Sequence, residues 1–350
     1  MRKQNWRSKR NHREVLDPFL AYQKQALLRV SRTFALTIPL LPSQVRNVIG
    51  NAYLLCRIAD TIEDEPTLDR EYKRKFLGRF AEVVQQQSAT DSFAHELASL
   101  LSDATNPAER DLVLNTGAVV DFHGKLPSGQ RKPIERCIDI MCKGMAEFVG
   151  TDATGLPTME HVERYCYYVA GVVGEMITDV LSDYSSGIEA QRDKLNKLSV
   201  QFGRGLQLVN ILKDHREDRR RGVTWLPRQI FNSRSRGNNG EIETSLENRV
   251  MHVVRVAQRD FEAALRYVLL IPVRERGVRS FLAITLGLAI LTLRRINSNP
   301  GFRRGDDVKI SRRQVYATVA TTSVAVRSNS TLRWLFDRAR PSFVAGPETI

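Results

Sequence analysis

Two short stretches hold most of the residues that could do chemistry. In "YLLCRIADTIED", 53–64, Tyr53, Arg57, Asp60 and Asp64 follow one another at steps of four, three and four, with Glu63 beside them. In "LQLVNILKDHREDRRRG", 206–222, Gln207, Asn210, Asp214 and Asp218 follow at steps of three, four and four. On a helix such spacing puts each set on one side. Either set alone reads as a solvated face with an i,i+3 ion pair. Its repetition on two distant segments, each with a polar group one turn upstream, reads instead as one shared site. Rows of oxygen ligands without supporting His or Cys suit Mg2+ better than Zn2+. Mg2+ is usually held by a few carboxylates and by phosphate oxygens of a substrate, so diphosphate binding is the chemistry these rows predict. A di-iron site would need Glu-x-x-His pairs on the same helices, and there are none. A glycosidase uses two acids, usually not two rows.

Helices are what the rest of the chain offers to carry these rows. Apolar residues recur with a period near 3.6 along almost every long segment, and strand signals are almost absent. The spacing predicts helices near 17–31, 43–64, 69–87, 91–104, 107–121, 130–149, 158–184, 188–219, 245–270, 274–297 and 311–325. In 43–64, Val48, Ala52, Leu55, Ala59 and Ile62 form an apolar stripe distinct from the acids. The stretch "NSRSRGNNGE", 232–241, reads as a flexible loop. No long linker divides the helices, so one all-α domain over 17–325 is expected, between a flexible basic segment at 1–16 and a tail at 326–350.

Composition bounds the partners. The chain has 350 residues, 42 % of them hydrophobic, enough for a large core. Its formal net charge of +14 fits nucleic acid, an anionic membrane surface or anionic substrates. The basic clusters at 1–13, 216–221 and 301–313 lack the aromatic interleaving of nucleic-acid modules, so no nucleic acid is expected. A basic helical scaffold for membrane or RNA is disfavoured by two intact acid rows. Cys56, Cys137, Cys142 and Cys166 show no ligand spacing and read as buried thiols in a reducing compartment. The longest apolar run, 281–293, is too short to span a bilayer, and no apolar h-region follows the basic N-terminus. The expectation is a cytoplasmic protein, soluble or peripheral on the membrane through 1–13, without a transmembrane anchor or signal peptide. Oligomeric state is left open, a monomer included.

Five blocks give the chain a resemblance: "SRTFA" 31–35, "YLLCRIADTIED" 53–64, "GMAEF" 144–148, "YCYYVAGVVG" 165–174 and "LQLVNILKDHREDRRRG" 206–222. Over roughly 20–320 it resembles the squalene/phytoene synthases, the head-to-head prenyl synthases. The resemblance implies a single-domain isoprenoid-synthase-type helical bundle around a central cavity. It implies Mg2+ ligands at Asp60, Glu63, Asp64, Asn210, Asp214 and Asp218, and diphosphate contacts from Ser31, Arg32 and Arg57. Tyr165 would lie near the reacting carbons, its ring facing a carbocation and its hydroxyl aiding proton removal. Phe34, Tyr53, Val169, Ala170, Gln207 and Phe281 complete the expected substrate wall. The blocks "GMAEF" and "YCYYVAG" look most like squalene-forming members, which join two farnesyl diphosphates to presqualene diphosphate and reduce it with NADPH. Arg32, Arg57, Lys213, Lys309 and Ser311 would then face that cofactor. Three departures bear on this: Ser311 stands where a basic residue is expected, Lys213 replaces an Arg, and Val223 follows the glycine where Arg is frequent. The alternatives are phytoene or dehydrosqualene synthesis without reduction, or arrest at presqualene diphosphate. Gly171 and Gly174 each cost a helix about 1 kcal/mol; close helix packing or room for a prenyl chain would offset that.

Overall fold

The apolar stripe of 43–64 is buried along its whole length: Val48, Ala52, Leu55, Ala59 and Ile62 all lie in the core. In the computed structural model, which describes residues 18–229 and 246–340, the helix carrying it is Ser43–Asp64, with the expected bounds. Pro42 stands just before its first residue, and "EP" at 65–66 ends it. Glu65 turns inward instead of joining the acid row. Burial alone would raise its pKa, but hydrogen bonds from Thr105, Ser102 and Thr67 hold its carboxyl at about 2.

In chain order the helices are α1 Pro18–Val30, α2 Phe34–Thr37, α3 Ser43–Asp64, α4 Arg70–Val84, α5 Thr90–Leu100, α6 Pro107–Leu114, α7 Thr116–Gly124 and α8 Ser128–Phe148. They continue as α9 Met159–Cys166, α10 Val172–Tyr184, α11 Ser186–Glu189, α12 Arg192–Arg220, α13 Leu246–Leu270, α14 Arg276–Ser298, α15 Arg312–Ala325 and α16 Asn329–Ala339. Among the described residues there is no strand, only an isolated bridge between Leu156 and Pro227. One continuous apolar core runs from Phe19 to Phe336, so the expected single all-α bundle is what forms.

Several expected helices are interrupted. The segment 107–121 divides into α6 and α7 at Asn115, whose side-chain amide donates to the Asp111 carbonyl at 2.8 Å and competes with the backbone. The segment 158–184 is α9 and α10 joined by a π-helical turn, Tyr167–Gly171. Short helix α2, which begins at Phe34 within "SRTFA", was not anticipated. Nor was α16, which lies in the segment read as a tail; Leu332 and Phe336 tie it into the core. The folded unit therefore extends past 325. Basic segment 1–16 and loop 232–241 lie outside the described residues.

Helix α14 differs from the expectation for 281–293. Its 23 residues make it long and apolar enough to cross a membrane, but 61 % of its most apolar window is buried within the bundle. It is a core helix with one side on the central cavity.

A Cβ on Gly174 would meet the Ser199 carbonyl oxygen at 2.3 Å, and one on Gly203 would meet the Ala170 carbonyl oxygen at 2.1 Å. These glycines let α10 and the π turn lie directly on α12. Close packing, not spare volume, accounts for them.

Candidate active site

Helices α3, α9, α10, α12 and α14, with the π turn, enclose a cavity of about 680 Å3. Its lining on α12 and just beyond runs from Ser199 to Arg221, about 33 Å at 1.5 Å per residue. The two ends differ in chemistry. Asp60, Glu63 and Asp64 at the end of α3 face the cavity together with Asn210, Asp214 and Asp218 near the end of α12. Toward the opposite ends of α3 and α12 the wall is apolar, with Ile49 and Phe202, and Met176, Ile177 and Tyr267 also line the cavity.

The acid end is short of positive charge. Burial pushes the Asp60 carboxyl up to about 6; Arg57 opposes this, while Asp64 and Glu109 add to it. Burial pushes Asp218 up to about 7, with Arg221 opposing and Asp214 and Asp64 reinforcing. Glu63 lies well above the usual carboxylate range, chiefly through burial and then through Asp64 and Asp60. Its Oε1 is buried with no hydrogen-bond partner among the described residues, while Oε2 accepts from the Tyr165 hydroxyl at 3.2 Å. Repulsion between Asp64 and Asp218 couples the two rows across the cavity. Such a set favours hard divalent cations. Among the described residues, no three acidic, His or Cys side chains converge into a closed shell for one ion.

Arg57 is held in place from several sides. Its Nη1 lies 3.8 Å from Asp60 Oδ2 and 3.7 Å from Glu109 Oε1, and its Nη2 donates to the Tyr53 hydroxyl at 3.3 Å. Its Nε is buried with no partner among the described residues. On α12, Lys213 pairs with Asp214 at 3.1 Å and Arg221 with Asp218 at 3.1 Å. Ser31 Oγ accepts from the Phe34 amide at 3.0 Å, which turns the chain so that Phe34 meets Tyr53 and Phe281, with ring centroids 5.1 and 6.4 Å apart.

Of the residues nominated from sequence, Ser31, Arg32, Phe34, Tyr53, Arg57, the six acid-row residues, Tyr165, Val169, Ala170, Gln207, Lys213 and Phe281 all line this one cavity. Lys309 and Ser311 do not. Ser311 caps α15: its hydroxyl accepts from the Gln314 backbone amide, and the Gln314 side-chain oxygen accepts from the Ser311 backbone amide. Lys309 projects outward and pairs with Asp306 at 3.2 Å. Among the wall residues not nominated, Arg221 and Trp225 touch nominated ones directly. Arg221 sits three residues after Asp218, a spacing that could have revealed it. Trp225 stacks flat on Tyr165, with centroids 3.9 Å apart and planes 8° from parallel, and Phe148 packs on Tyr165 at 5.4 Å. One Tyr165 ring face expected to meet substrate is therefore covered by Trp225. Burial raises the Tyr165 phenol well above its ordinary value, so it stays protonated and donates to Glu63.

A model of the squalene/phytoene synthase family matches residues 27–314. The chain is 29 % identical over 295 residues to squalene synthase of Cochliobolus lunatus, covering 82 % of this chain and 68 % of that protein. It is 29 % identical over 289 residues to squalene synthase of Eremothecium gossypii, covering 79 % and 62 %. It is 27 % identical over 329 residues to squalene synthase of Saccharomyces cerevisiae, covering 90 % and 68 %. The chain thus spans about two thirds of the length of these relatives. Among solved structures, TcSQS in complex with a ligand shares the fold at a TM-score of 0.68 and 22 % identity, covering 92 % of this chain and 97 % of that one. A dehydrosqualene synthase with bound ligand does so at 0.62 and 18 %, covering 88 % and 96 %.

Proposed function

The chain belongs to the squalene/phytoene synthase family of prenyltransferases, and from that premise we propose that it joins two farnesyl diphosphates head to head into presqualene diphosphate, using Mg2+, and reduces that product with NADPH to squalene. One observation carries the reading: two acid rows from distant helices share a single cavity whose other end is apolar. Relatives at 27–29 % identity that are named squalene synthases support the choice of product.

Asp60, Glu63, Asp64, Asn210, Asp214 and Asp218 would hold the Mg2+. The metal supplies neutralisation of the charge that builds on a departing diphosphate. Arg57, already oriented by Glu109 and Tyr53, offers the diphosphate a forked guanidinium. Tyr165 keeps its proton and donates it in a hydrogen bond to Glu63, which orients the phenol and the carboxylate toward each other at the cavity wall. The apolar end holds the prenyl chains and excludes water that would otherwise quench a carbocation to an alcohol. Arg32 and Lys213 at the cavity are the cations left to meet NADPH phosphates. Because Lys309 and Ser311 stand apart, no hydride-transfer geometry is assigned. Peripheral attachment to the cytoplasmic membrane face, aided by 1–13, belongs to the same reading, since substrate and product are both lipophilic.

The test is product analysis with farnesyl and geranylgeranyl diphosphates, each with and without NADPH. Squalene formed only with NADPH supports the reading. A hydrocarbon with an extra central double bond, formed without NADPH, replaces it with the non-reductive one. No Mg2+-dependent release of diphosphate overturns it.

A further inference from the structure

Three of the large apolar side chains left open to solvent sit on the last two helices: Tyr316 is 67 % exposed, Val324 66 % and Trp334 54 %. Both helices pack on α14. Thr318 and Thr322 of α15, with Leu332 and Phe336 of α16, turn inward and line a groove beside α14. Tyr316 lies on the side of α15 away from that groove, and Val324, two turns on from the groove residue Ala317, lies at its outer rim; Ala320 stands between them, and all three are exposed. Trp334 lies two residues from both Leu332 and Phe336, on the outer side of α16. Helices α15 and α16 also contact each other, so these exposed residues sit on adjoining helices.

Their surroundings are strongly cationic. Arg312, Arg313, Arg327, Arg333, Arg338 and Arg340 are all exposed on these helices or at their ends, and Asp337 is the one acid among residues 312–340. The Arg338 guanidinium lies over the Trp334 ring, 4.9 Å from its centroid. Exposed aromatic and aliphatic side chains rimmed by arginines match the boundary of a bilayer, where rings enter the headgroup layer and guanidiniums meet phosphates. A second copy of the same face would set arginine against arginine. A nucleic acid would leave Val324 and Ala320 without a partner.

We propose that the outer face of α15 and α16 is a docking surface for an anionic phospholipid bilayer, separate from the basic N-terminal segment. The proposal needs no particular substrate, so it stands or falls apart from the enzymatic reading.

The experiment is co-sedimentation of the full chain with vesicles of phosphatidylglycerol and phosphatidylcholine, and with vesicles of phosphatidylcholine alone. One variant carries Tyr316→Ser, Val324→Ser and Trp334→Ser together; another carries Arg312→Gln, Arg313→Gln and Arg333→Gln. These positions are exposed, so both variants should melt close to the parent. The parent should bind the mixed vesicles and release them at high salt. The first variant should bind roughly tenfold more weakly, and the second about fivefold more weakly per arginine removed. Parent-like binding by both variants would assign attachment elsewhere and overturn the proposal. So would failure of the parent to bind mixed vesicles, or a parent dimer that the first variant dissolves without any change in vesicle binding.

Discussion

Gly203→Ala tests how closely the bundle is drawn together at the site. The added methyl would stand 2.1 Å from the Ala170 carbonyl oxygen and 2.6 Å from its carbon. Carbon and oxygen ordinarily approach to about 3.3 Å, so α12 and the π turn must part by roughly 1 Å. The obstacle is backbone and cannot rotate away. Overpacking of this kind costs about 1–3 kcal/mol. At about 2.1 cal/mol/K of unfolding entropy per residue, that lowers Tm by roughly 1–4 °C. Activity should suffer more than stability. Val169 and Ala170 line the cavity on one side of this contact, and Asn210 lies two turns along α12 on the other. Displacing one acid row by about 1 Å can cost on the order of a hundredfold in rate. The matched control is Gly78→Ala in α4, where an added Cβ meets nothing within 4 Å; it should stabilise by about 0.5–1 kcal/mol. The assays are thermal melting and Mg2+-dependent diphosphate release from farnesyl diphosphate. If Gly203→Ala melts with the parent and keeps at least half its rate, the close approach is not what sets the site, and the reasoning fails.

Asp60→Asn or Asp214→Asn should nearly abolish diphosphate release at saturating Mg2+ while leaving the circular dichroism spectrum unchanged; near-parent rates would remove these residues from the metal set. Trp225→Leu should loosen Tyr165 and raise the share of alcohol by-products more than it slows substrate consumption, read by product chromatography; an unchanged product ratio would make the stack purely structural. His123 is fully buried, and burial, helped by Arg131, lowers its pKa from 6.5 to about 4. Glu135, 3.7 Å from its Nε2, offers little relief because Arg131 already engages that carboxylate at 3.2 Å. The folded state thus binds this proton less readily than the unfolded chain. Its stabilising effect is complete above pH 6.5 and fades by about 3 kcal/mol as the pH falls toward 4. His123→Phe should flatten that part of the denaturation profile, and identical acid profiles for the two proteins would refute the assignment.

Features that depend on neighbours one or two turns away were legible from the residues alone. Helix α3 has its predicted bounds because an apolar stripe, a preceding proline and a terminal "EP" all act locally. Both acid rows were legible for the same reason, since i,i+3 and i,i+4 spacing puts side chains on one face whatever else the chain does. Features that need partners far apart in sequence emerged only on folding. The two rows are about 150 residues apart, and packing of α3, α10 and α12 set them across one cavity. Glu65 looked like its acidic neighbours, yet it anchors a turn because Thr67, Ser102 and Thr105 converge on it. Trp225 reached Tyr165 from 60 residues away, a contact that no local period encodes. Ser311 and Lys309 lay in a segment of the expected character, but a capping box and an exposed ion pair occupy them away from the cavity. The glycines were ambiguous for a related reason. Local propensity registers the cost of Gly174 in a helix, and only the approach of another backbone shows what offsets it.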